Sequence, residues 1–209
     1  MKTDLDTLWN LPRSTSPQRW YEEIVPDLPL VVPAIDVPWP VAYHVDGSGG
    51  GIWTATVAQG RVQVVAGLQG TPIVQLRMGR SDLRELLSGF LRDRLRLAVE
   101  RLGVGLDLHG LPAPSFNPAR LERLAELHGS IGIEIRERRL GDSARFVVTF
   151  GAGAPAWESP TTQLTIDADE LVEWIVRRVH PRQILMSGRV RLAGEVALPT
   201  RALGLLLGD

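Results

Sequence analysis

Hydrophobic positions along the 209-residue chain change their period twice, and then do so again. Residues 41–45, 52–57, 61–66 and 72–78 are short runs rich in valine, isoleucine and threonine, separated by the turn-forming stretches 46–51, 58–60 and 67–71. Runs of this kind, bounded by glycine and polar residues, predict β-strands. The period then lengthens. Leu83, Leu86, Leu87, Phe90, Leu91, Leu95, Ala98 and Leu102 recur every three or four residues with arginines opposite, which predicts one amphipathic helix. Ser81 is the expected N-cap and Gly103 the expected stop.

After a glycine- and proline-rich stretch at 103–116 the same grammar returns. Asn117 followed by Pro118 predicts a capped short helix with Leu121, Leu124, Ala125 and His128 inward. Residues 131–137, 145–150 and 161–166 read as strands. Asp167 and Glu170, three apart, predict a capping box opening a helix whose inner face is Leu171, Trp174 and Ile175, ended by His180-Pro181. Residues 74–78 with 81–87 align position for position with 162–166 with 169–175: strand, acidic cap, apolar helix. An internal duplication is therefore expected, as a pseudo-symmetric pair rather than a solenoid. The predicted organisation is a leader at 1–40, a first unit at 41–103, a linker at 104–117 and a second unit at 118–209.

The leader is proline-rich from Pro12 to Pro40, which denies it long helices and central strands, with at most one short helix near 18–24. Trp9, Trp20 and Trp39 lie in or beside it, so it is expected to strap onto the body. The N-terminus has no signal-peptide pattern, and the longest apolar run, 202–207, is far short of the ~18 residues of a membrane span. A soluble, cytoplasmic protein is expected, with at most peripheral membrane contact.

Composition narrows the chemistry. Hydrophobic residues make up 44% of the chain, enough for a core, and a net charge of -1 removes the electrostatic basis for generic nucleic-acid binding. The absence of cysteine excludes disulfides, thiolate metal sites and cysteine nucleophiles. Lys2 is the only lysine. The four histidines are not spaced as metal ligands, so no metal site and no cofactor are expected. His44 and Asp46, two apart on one strand face, are weak candidates for an acid–base pair, against a simple surface pair. Residues 151–156 fit the glycine pattern of a dinucleotide loop, but Pro155 and Pro160 break any following helix, so a hairpin loop is predicted. Arg84, Arg92, Arg94, Arg96 and Arg101 are interleaved with Asp82, Glu85, Asp93 and Glu100, a solvated, salt-bridged face rather than a lipid-headgroup surface.

The C-terminal stretch is the most informative. His180-Pro181-Arg182-Gln183 leads into Ile184-Leu185-Met186-Ser187-Gly188, then the alternating Arg189-Val190-Arg191-Leu192-Ala193-Gly194-Glu195-Val196 and a last apolar segment at 202–207. This resembles the closing signature of the sterol carrier protein type 2 family, well over 131–207 and more weakly over 41–102. The resemblance implies an α+β fold: a curved, mostly antiparallel sheet with helices on one face enclosing an apolar tunnel, here duplicated. His180 stands where the family carries asparagine, and Pro199 and Gly204 are expected to interrupt the last helix. The ending Leu207-Gly208-Asp209 lacks a peroxisomal signal, which fits a bacterial relative.

The expected function is non-catalytic binding or transfer of a lipid or other apolar small molecule. The candidate ligand contacts are Trp174, Ile175, Met186, Val196, Leu198, Leu203, Leu206 and Leu207. The alternatives are an enzyme or accessory protein using the same apolar chamber for a tailoring step, and a protein-interaction module. Oligomeric state is left open.

Overall fold

The computed structural model describes residues 8–28, 39–58, 61–102, 118–155, 157–177 and 181–207. The predicted linker at 104–117 lies outside them. Among the described residues, eight strands form one open, curved sheet: β1 (Trp39–Asp46), β2 (Gly51–Ala58), β3 (Arg61–Ala66), β4 (Val74–Gly79), β5 (Gly129–Glu137), β6 (Asp142–Phe150), β7 (Thr162–Asp167) and β8 (Arg191–Gly194). Their spatial order is β3-β2-β1-β4-β6-β5-β7-β8. The β1/β4 and β5/β7 pairs are parallel and all others antiparallel.

The trios β2-β1-β4 and β6-β5-β7 follow the same plan: a hairpin, then a return strand parallel to its first member. Tyr43 opposite Leu76 in the first trio matches Ile133 opposite Leu164 in the second. Each trio then leads into a pair of helices, α2 (Arg80–Ser88) and α3 (Phe90–Leu102) after β4, α5 (Ala168–Arg177) and α6 (Pro181–Met186) after β7. Between them lies α4 (Pro118–Ala125); α7 (Ala197–Leu207) closes the described chain, and α1 (Pro17–Arg19) lies in the leader.

All three hydrophobic clusters sit on one face of the sheet, under the helices. Alternation explains this: Ile131, Ile133 and Ile135 on β5 share that face with Leu164 and Ile166 on β7 and Phe146 on β6. The opposite face is more polar and is covered partly by the loop after β6, at residues 151–155 and 157, whose carbonyls take Gln75, Arg77 and Arg145. The glycine and proline pattern predicts a hairpin for this loop. It is instead a crossover, because β5 lies between β6 and β7.

Three further expectations change. The helix predicted over 83–102 is broken at Gly89, where the Glu85 carboxylate accepts the Phe90 amide at 3.2 Å and so caps a second helix. The N-cap of α2 is Gly79 rather than Ser81: Asp82 accepts the Gly79 amide at 3.1 Å and, with its other oxygen, the Arg145 amide of β6 at 2.9 Å. Pro199 and Gly204 do not interrupt the last helix. Pro199 falls in the first turn of α7, where no amide partner is needed, and α7 runs through Gly204 to Leu207.

The leader packs on the first trio. α1 continues as a π turn (Trp20–Ile24) and a 3-10 turn (Val25–Asp27). Tyr21 stacks on Trp53 with ring centroids 5.0 Å apart, and Glu22 accepts the Trp53 indole hydrogen at 2.9 Å.

Candidate functional site

A cavity of about 250 Å³ opens between the second trio and the helices above it. Its floor is Ile131, Ile133, Ile135, Phe146, Leu164 and Ile166 from β5, β6 and β7. Its walls are Leu171 and Trp174 of α5, Leu185 of α6, Val190 before β8, and Pro199 and Leu203 of α7. No charged, hydroxyl or amide side chain is among these lining residues. The space lies over the β-branched and aromatic side chains of the sheet, and the chain bends between α6 and β8 and again between β8 and α7.

Those bends explain the two glycines of the resemblance. Gly188 has φ +71°, in the left-handed region, and turns the chain from α6 toward β8. Gly194 has φ +90°, and a Cβ there would stand 2.3 Å from the Thr161 carbonyl oxygen. Only glycine lets β8 end that close to the start of β7, where the Glu195 amide donates to the same carbonyl at 3.2 Å.

Of the eight expected ligand contacts, Trp174 and Leu203 line the cavity. Leu198 is buried beside it, in the cluster with Leu121, Leu124 and Ile131, and does not line it. Met186 and Val196 are at the surface, 87% and 54% exposed, and do not line the cavity. Met186 ends the six-residue α6, whose Leu185 takes the inward position, and Val196 sits on the bend before α7. The side chains of Ile175, Leu206 and Leu207 lie outside the described residues. The strand isoleucines, Leu164, Ile166 and Phe146 are missing from the expected set, although the alternation Ile131, Ile133, Ile135 was the signal that could have found them.

The expected His44–Asp46 pair does not form. Asp46 takes the Arg77 guanidinium at 2.9 Å, and His44 Nε2 meets Gln75 Oε1 at 3.1 Å. Gln75 spends its amide nitrogen on the Gly153 and Gly151 carbonyls, at 2.6 and 3.2 Å. Its Oε1 can therefore only accept, so the His44 Nε2 carries the hydrogen. Burial holds the imidazole below its ordinary value, with the nearby Arg77 charge adding to the effect. Both residues lie on the sheet face away from the cavity. The arginines of α3 also find partners: Arg94 pairs with Glu137 and Asp169, and Arg96 with Glu100.

Among the described residues no group of three histidine or carboxylate side chains is placed to hold a metal ion, and no helix is long and apolar enough to cross a membrane.

Residues 113–206 match the model of the SCP-2 sterol transfer family. The family supports sterol or lipid binding or transfer in general. Among solved structures, the chain is similar to sterol carrier protein domain 2 of Helicoverpa armigera, with 23% identity over 41% of this chain and 72% of that one and a TM-score of 0.30. It is also similar to sterol carrier protein 2 like 2 of Aedes aegypti, with 16% identity, 55% and 97% coverage and a TM-score of 0.31. A conserved hypothetical protein of Thermus thermophilus, possibly a sterol carrier protein, gives 16% identity, 44% and 73% coverage and a TM-score of 0.35. No curated protein matches the chain.

Proposed function

We propose that the protein binds one apolar chain, an acyl or other unbranched alkyl group, in the chamber over β5, β6 and β7, with the polar end of the ligand left at the surface. The observation that carries this reading is the wholly apolar lining. Each buried methylene contributes ~0.8 kcal/mol. A hydroxyl or carboxylate drawn inside would meet no charged, hydroxyl or amide side chain and would cost several kcal/mol. At the ~30 Å³ a water-sized group occupies in a liquid, the chamber holds about eight methylenes, which suits an alkyl chain better than a fused-ring sterol.

Binding without chemistry is favoured because the one candidate acid–base pair is split between other partners on the far face. The shared strand plan supports reading 41–103 as a related unit whose matching surface is filled from within. There Tyr21 of the leader packs over Tyr43 and Trp53, where the second unit has its chamber.

Native mass spectrometry of the purified protein tests the reading. The expected result is an added mass belonging to a lipid, lost on delipidation. A delipidated protein that takes up no fluorescent fatty acid, sterol or isoprenoid overturns it.

A further inference from the structure

A second apolar cavity, of about 240 Å³, lies on the other side of α5. Leu8, Trp9 and Leu11 of the leader close it on one side, and Leu87, Leu91 and Leu95 of α2 and α3 on the other. Arg92 of α3 holds the leader in place there, donating to the Leu11 carbonyl at 3.2 Å. The leader and both of these helices lie outside the matched segment 113–206, so this cavity is a property of the present chain rather than of the family domain.

The two cavities have one described lining residue in common, Leu171. Its position on α5 explains why. Trp174, one turn on, faces the inner chamber, and Val172, its immediate neighbour, faces the leader. Leu171 lies between those two directions and touches both spaces. Leu171 is thus the described side chain that borders both apolar volumes, which are of similar size.

We propose that Leu171 sets the length of chain the site accepts. It is the end wall of the inner chamber, and with its side chain removed the two spaces form one run about twice as long, ending under the leader. This rests on the alkyl-chain reading above. Arg92 lies at the outer space but is committed to the Leu11 carbonyl and to Asp93, so the outer space takes the methyl end of a chain and not its head group.

The test is competition of saturated fatty acids of increasing length against a fluorescent fatty acid, on the full, delipidated chain. Each methylene buried improves affinity about fourfold. For the wild-type protein the gain should stop at roughly eight to ten carbons, the capacity of the inner chamber. In L171A it should continue to about twice that length. L171F, which fills rather than empties the site and so keeps the fold under little threat, should shorten the limit. L97A, at a position 48% exposed on α3, should leave it unchanged. The same limit in wild type, L171A and L171F overturns the role of Leu171 and leaves the alkyl-chain reading standing. No binding by wild type or any variant overturns both.

Discussion

Arg94 of α3 grips Glu137 at the end of β5 with two nitrogens, at 2.8 and 2.9 Å. Glu137 continues the row of Ile131, Ile133 and Ile135 and points to the covered face, where its side chain is 3% exposed. A charge at the end of an apolar row is tolerable because the guanidinium answers it and the Arg139 amide donates to the same carboxylate at 3.0 Å. The pair ties the helix that follows the first trio to the strand that founds the second, and Arg94 also reaches Asp169 of α5 at 3.3 Å.

The Glu137 carboxyl is held below its ordinary value by the Arg94 hydrogen bonds. Its contribution is therefore fully present above the unfolded carboxyl pKa of 4.5 and is lost as pH falls through the lower folded value. E137Q should lose about 2 kcal/mol at pH 7, allowing for the partial exposure of Arg94, and flatten this acid limb of the stability profile. Urea unfolding at pH 7 and below pH 4 checks it.

His44 titrates in a separate window. Its lowered pKa means that the unfolded chain binds the proton more readily, so stability falls as pH drops below the ordinary histidine value of 6.5. H44A should remove that slope and cost about 1 kcal/mol through the orphaned Gln75 oxygen. Lipid affinity should be unchanged, because His44 is on the face away from the chamber. Unfolding curves at pH 5 and 7, with a binding titration alongside, test both points.

G194A should destabilise by about 2 kcal/mol or more, the sum of a left-handed backbone and a methyl group pressed on the Thr161 carbonyl. For a chain of this size that lowers Tm by roughly 4–8 °C. G188A should cost less, since nothing lies within 4 Å of its Cβ position. Thermal unfolding of the two variants side by side gives the comparison.

Tyr21 is 2% exposed between Tyr43 and Trp53, so the leader is part of the core there. Y21A should cost about 3 kcal/mol, the scale for deleting a buried aromatic ring. A leader that only trails from the body would give no change in Tm.

The strands were legible because their apolar residues alternate or run in short blocks between glycines, and the repeated grammar showed the two units. The parallel return strand of each was not legible, because a glycine- and proline-rich loop looks the same whether it closes a hairpin or crosses a neighbouring strand. Sequence spacing misled where a side chain chose the boundary. Glu85 turning to cap Phe90 splits a helix whose leucines keep step across the break, and a proline in a first turn looks like a proline in the middle. The site was half legible. Trp174 and Leu203 stand out on apolar helix faces, but the C-terminal signature favoured Met186 and Val196, whose exposure depends on how far α6 extends and where the chain bends. Leu171 was visible as an inner-face residue. Its double role depends on the leader lying across α2 and α3, which no local pattern encodes.

Titration of the delipidated protein with a fluorescent fatty acid, comparing wild type with I133W, tests the central claim most directly. Ile133 is on the chamber floor, opposite Leu164 and Phe146, and an indole there occupies much of the space. The expected result is saturable binding by wild type and at least a tenfold loss in I133W with its fold retained by circular dichroism. Equal binding by the two proteins would contradict a ligand held in this chamber.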